Sequence, residues 1–122
     1  MQRIFLIGLI AAAVTIPSAA SARLISALGI TLQSCNANVN GNVTNGINVV
    51  YYNTHQSPAT EVDFLVRYHG HKYVLIDRGT FSVGAQINHN INNALVGAPW
   101  QGPDVKLCTA QRVILANGKV LQ

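Results

Sequence analysis

Between Glu61 and Tyr68 the apolar side chains fall on alternate positions. Val62, Phe64, Val66 and Tyr68 form one set, with Asp63, Leu65 and Arg67 between them. A strand sends successive side chains to opposite faces, so this period of two describes a strand with one buried face. No stretch of residues 23–122 carries a helical period of useful length. Its apolar segments are dominated by Val, Ile, Tyr, Phe and Leu, mostly strand-forming residues. The fold class that follows is all-β.

Further strands are expected over residues 28–35, 47–53, 72–77, 85–91 and 105–115, with a short one from Val120. Residues 24–27 make a short irregular entry, and residues 78–84 a connector carrying Phe81. Asn is concentrated at 36–48, including Asn40-Gly41 and Asn45-Gly46, and again at 88–93. Asn and Gly tolerate positive φ, so the first cluster reads as turn chemistry. Asn117-Gly118 is a tight-turn signal. After Tyr68, the segment His69-Gly70-His71 predicts a three-residue hairpin loop. That register pairs Val66 with Val74 and Phe64 with Ile76, and avoids setting Arg67 against Lys72. About seven short strands separated by turns predict an immunoglobulin-like antiparallel β-sandwich, although strand spacing alone does not separate a sandwich from a small barrel.

The first 22 residues read differently. Arg3 precedes an uncharged run rich in Ile, Leu and Ala, Pro17 breaks it, and Ala20-Ser21-Ala22 follows. This is the anatomy of a cleavable secretory signal, in bacterial style. The run is shorter than the roughly 20 residues that span a bilayer. The expected organisation is a signal peptide over 1–22 and one domain over 23–122, exported to the periplasm or cell exterior, with no membrane attachment after cleavage. Export to an oxidising compartment makes Cys35 and Cys108 a candidate disulfide.

The chain has 8 Lys and Arg against 4 Asp and Glu, for a net charge of +4. The basic residues are scattered along the sequence, which gives no support to a nucleic-acid groove. A modest attraction to anionic envelope surfaces is allowed.

Asn53, Val62-x-Phe64-x-Val66-x-Tyr68, Gly79-Thr80-Phe81-Ser82-x-Gly84 and Ile87-x-His89 together resemble small exported bacterial immunoglobulin-like domains, in the style of the FxLYD and CARDB classes. The resemblance covers residues 47–91. Val83 stands where Pro would be common. It implies a fold and an extracytoplasmic binding or spacer role, with no catalytic residues to carry over.

Several side chains are candidates for chemistry. His69 and His71 are two apart and qualify as a metal pair if His55, Asp77 or His89 completes the shell. The blander reading puts both at a solvated hairpin tip. His89 is in phase with Ala85, Ile87 and Ile91 and is expected inward, as a buried imidazole bonded to a carbonyl. Ser82, His89 and Asp77 make a hydrolase triad on paper, but no nucleophile turn such as G-x-S-x-G accompanies them. Pro99, Trp100 and Gln101 lie in a long loop over residues 92–104 and are a candidate binding loop. The alternative is that Trp100 plugs the end of the core. In the three-residue register, Leu65, Tyr73 and Leu75 form a candidate exposed patch. The functional expectation is a non-catalytic binding module for a protein or glycan ligand, without a cofactor. A structural accessory subunit of an envelope assembly and a small histidine-based metal protein are the alternatives.

Overall fold

The computed structural model describes residues 23–94 and 97–122. The expected signal peptide, residues 1–22, lies outside the described residues. Eight strands occur among them: β1 (Arg23–Ile25), β2 (Ile30–Asn40), β3 (Val43–Asn53), β4 (Ala59–Tyr68), β5 (His71–Phe81), β6 (Gln86–Ile91), β7 (Leu107–Leu115) and β8 (Val120–Leu121). They form two sheets packed as an immunoglobulin-like β-sandwich. One sheet has the order β1-β7-β4-β5, with β8 also paired to β7. The other has the order β2-β3-β6. All pairings are antiparallel except β1 with β7.

The alternating strand is β4, flanked by β7 and β5 within its sheet. Its inward set, Val62, Phe64 and Val66, is fully buried. From the other sheet Ile47, Val49 and Tyr51 of β3 meet it, also fully buried. The Tyr51 ring stands edge-on to Phe64 at 5.0 Å and to Phe81 at 6.0 Å, a favoured aromatic geometry.

The β4–β5 hairpin departs from the expected register. Its loop has two residues, His69 and Gly70, both at positive φ (45° and 83°). Tyr68 pairs with His71, Arg67 with Lys72, Val66 with Tyr73 and Phe64 with Leu75. Two positive φ values give the turn a twist that matches the strands. Arg67 and Lys72 are both exposed, so solvent screens the like-charge contact that argued against this register. A slip of one residue exchanges the faces of a strand. Leu75 is therefore fully buried and Tyr73 half-buried against the core, while Val74 is 40% exposed. The expected exposed patch of Leu65, Tyr73 and Leu75 does not form. Leu65 alone of the three faces outward, between Val74 and Thr109.

The Asn cluster is also only partly turn. Asn40 pairs with Val43 around Gly41 and Asn42, but the flanking Asn residues are in β2 and β3. Asn45-Gly46 makes an irregularity inside β3, opposite Asn38. Gly46 has φ 85°, and a Cβ there would lie 2.7 Å from the Ile91 carbonyl oxygen, so the site admits only glycine. Bulges also occur at Gln33 and Gln111. The one at Gln111 lets Cys108 and Ala110 point inward on one side of it and Val113 and Leu115 on the other.

Candidate functional site

The charges of the described chain are divided by sheet. Arg23, Glu61, Asp63, Arg67, Lys72, Asp77, Arg78 and Arg112 are all on strands of the five-stranded sheet, Lys106 and Lys119 are in segments leading into it, and Asp104 bridges to Asn36 at the edge of β2. The three-stranded sheet has no Asp, Glu, Lys or Arg on any strand.

The outer face of that neutral sheet is built from amides. β3 turns Ile47, Val49 and Tyr51 inward, so Asn48, Val50 and Tyr52 point out. β6 turns Ile87 and Ile91 into the core, so Gln86, Asn88 and Asn90 point out. The amides are fixed by one another. Asn48 Nδ2 donates to Asn88 Oδ1 (3.0 Å), and Asn38 Nδ2 donates to Asn90 Oδ1 (2.6 Å). Gln86 Nε2 donates both to Gln33 Oε1 (2.8 Å) and to the Tyr52 hydroxyl (3.0 Å). Asn90 Nδ2 donates to the Asn45 carbonyl (3.1 Å). An amide group has two donor hydrogens and two acceptor lone pairs, so these bonds orient each group and leave hydrogen-bonding capacity toward solvent.

At the edge where β5 faces β6, three side chains bridge the sheets. The buried Tyr51 hydroxyl donates to Asp77 Oδ2 at 2.7 Å, and His89 Nδ1 donates to both Asp77 oxygens at 2.9 Å. Burial, with the bond to Asp77, holds the Tyr51 phenol well above its ordinary range, so it remains a donor. His89 is 47% exposed along its side chain and Asp77 only 8%. His89 is thus in the phase expected and reaches the other sheet, but it is exposed and not the buried imidazole expected, and its partner is a carboxylate and not a carbonyl. Ser82 is exposed, and among the described residues no hydrogen bond joins it to His89, so the pair has no adjacent nucleophile.

On the outer face of the charged sheet, Glu61 and Asp63 lie two apart on β4. Arg78 Nε donates to Glu61 Oε1 at 2.8 Å, and Arg112 approaches Glu61 and Asp63 at 3.6 Å each. Burial works against Glu61 ionising, but the bonds with Arg78 and Asp63 and the charge of Arg112 outweigh it and lower its pKa. Burial, reinforced by Glu61, pushes Asp63 up to about 6. Asp63 Oδ1 is buried without a hydrogen-bond partner.

The loop over residues 92–104 is tied down along its described length. The Asn93 side chain accepts from the Ile76 amide and donates to the Val74 carbonyl, capping the free edge of β5. Ala98 accepts from the Thr44 amide, Trp100 N donates to Asn42, and Pro103 accepts from the Ala37 amide. The Tyr68 hydroxyl donates to Gly102 and accepts from the Gln101 amide. Trp100 is half-buried against the core, between exposed Pro99 and Gln101.

His69 is on the hairpin turn, stacked edge-on against Tyr68, and His71 begins β5. Both are exposed. Among the described residues, no group of three or more His, Cys, Asp or Glu is placed to hold a metal. Cys35 from β2 and Cys108 from β7 are buried and meet across the core, one from each sheet. The contact with Cys108, together with burial, raises the Cys35 thiol pKa.

No family model matches this chain, and no curated protein or solved structure is significantly similar to it.

The alternation of Gln86, Asn88 and Asn90 against Ala85, Ile87, His89 and Ile91 is legible in the sequence, but the joining of these amides with those of β2 and β3 into one face is not. Asn36 and Asn38 have the same interval of two. That is the period of a strand's solvent face, where turn residues have no reason to recur.

Proposed function

We propose that this chain is an exported, non-catalytic binding module that takes an uncharged, hydroxyl-rich ligand, a neutral glycan, on the amide face of the three-stranded sheet. The observation that supports the reading most is the division of charge. The strands of this face carry no ions, and the one charge beside it, Asp104 opposite Asn36 at the β2 edge, is an acid. A carboxylate or phosphate therefore finds no charge-assisted bond there, whereas fixed amides donate to and accept from sugar hydroxyls. Tyr52, half-buried in the same cross-strand row as Gln86, supplies a ring edge beside them. Groups already oriented by their neighbours lose little freedom on binding.

The rest of the molecule fits this role. Asp77 and His89 serve as a strut between sheets. The signal-like segment supports export, and export supports closing Cys35 and Cys108 into a disulfide between the sheets. The resemblance of residues 47–91 to small exported immunoglobulin-like domains points to the same class.

The test is capture on insoluble neutral polysaccharides, comparing the exported protein with an Asn48→Ala/Asn88→Ala variant and with Tyr52→Ala. The reading expects capture that survives high salt and falls at least tenfold in the variants, whose melting temperatures stay near the parent's. Failure to bind any neutral polysaccharide, alongside recovery of an envelope protein held by the same face, would replace it with the accessory-subunit reading.

A further inference from the structure

On the opposite sheet, at the end bearing the β4–β5 turn, Arg23, Arg67 and Lys106 line an open groove of about 890 Å³, with His69 and Gly70 on its rim. The sequence scatters these cations over more than eighty positions, and the fold gathers them at one end of the sheet, Arg23 and Arg67 on either side of Leu107 and Lys106 just before it. Arg23 N donates to the Lys106 carbonyl (3.3 Å), and Lys106 N donates to the Arg67 carbonyl (2.8 Å). Arg67 in turn stands opposite Lys72.

The sheet's other arginines are engaged. Arg78 pairs with Glu61, and Arg112 reaches both Glu61 and Asp63. Among the described residues, Arg23, Arg67 and Lys106 make no ion pair, and Asp104 is the only acid lining the groove. Like charges facing each other across strands cost stability. A cluster that keeps them open to solvent, against a single acid, suits an anion carrying more than one negative oxygen. Two guanidinium forks match a phosphate in both geometry and charge.

We infer that this groove binds a phosphate group. The site is separate from the amide face and does not depend on the glycan reading. The same chemistry is offered by a soluble phosphate and by the headgroup of an anionic phospholipid.

The two sources separate by titrating the exported protein at low salt with inorganic phosphate, with phosphatidylcholine vesicles, and with vesicles containing phosphatidylglycerol. The comparison variant is Arg67→Gln/Lys106→Gln. Both positions are exposed, so its melting temperature should not fall below the parent's. We expect saturable binding, to phosphate or to the phosphatidylglycerol vesicles but not to phosphatidylcholine alone. It should weaken at least tenfold in the variant and fall steeply between 20 and 200 mM salt, ~10-fold or more. Binding to phosphate alone assigns a soluble phosphate ligand, and binding to vesicles alone assigns the headgroup. Absence of binding to either, or binding unchanged in the folded variant, overturns the inference.

Discussion

His89 Nδ1 lies 2.9 Å from both carboxylate oxygens of Asp77, and that contact joins β6 of one sheet to β5 of the other. Oδ2 of the same carboxylate also accepts from the buried Tyr51 hydroxyl. Asp77 is thus a buried acceptor shared by Tyr51 and His89, and each loses its partner when the carboxylate is removed.

Asp77→Ala should cost about 2 to 4 kcal/mol, because it strands the buried Tyr51 hydroxyl and opens a gap between sheets. Asp77→Asn keeps an acceptor for Tyr51 and should cost less. Chemical denaturation of the three proteins checks the order. An alanine variant as stable as the parent would mean the strut contributes nothing.

Cys35 and Cys108 should be recovered as a disulfide from protein isolated from an oxidising compartment. The bridge closes a long loop between the two sheets, and its reduction should cost about 4 kcal/mol on the loop-entropy model. Peptide mapping without reductant identifies the linked pair. Two alkylatable thiols in the unfolded, unreduced protein would contradict it.

Asp63 gives the molecule a pH dependence of defined sign. Its folded pKa is raised to about 6 from 3.8, so the folded state holds a proton that the unfolded chain has lost. The contribution is fully present below the unfolded value and is lost as pH rises through about 6. Asp63→Asn removes this loss. Its melting temperature should exceed the parent's at pH 7.5, by an amount worth about 1 to 2 kcal/mol, and match it near pH 4. A variant less stable than the parent at both values would show that Asp63 is held as a stabilising ion.

Trp100→Ala should lower stability by about 1 to 3 kcal/mol, less than for a fully buried ring, since the indole is half-buried against the core. The parent's tryptophan emission should fall between the solvated and the fully buried extremes. A stability change within about 0.5 kcal/mol would instead make Trp100 an ordinary surface residue.

The all-β class, the sandwich and the inward phase of His89 were legible because each rests on a local period of two. The hairpin register was not. Sequence argues against setting Arg67 opposite Lys72, but both heads reach water, and the burial of Leu75 outweighs a screened repulsion. Turn chemistry accounted for Gly41 and not for Asn36, Asn38 or Asn48. At Asn38 and Asn48, side-chain bonds between strands offset a poor intrinsic strand preference, and such bonds depend on partners distant in sequence. The gathering of Arg23, Arg67 and Lys106 was illegible for the same reason, since pairing of β1 with β7 brings the first of them to the others.

Nuclear magnetic resonance of the nitrogen-15-labelled protein during titration with neutral oligosaccharides reads out whether ligand is held on the amide face. Side-chain amide groups of Asn and Gln give their own signals, so the contact surface reports itself. Saturable shifts in the side-chain amides of Gln33, Asn48, Gln86, Asn88 and Asn90, with the Arg67 and Lys106 backbone signals unmoved, are the expected result. Shifts confined to the five-stranded sheet, or none with any neutral oligosaccharide, would contradict binding on that face.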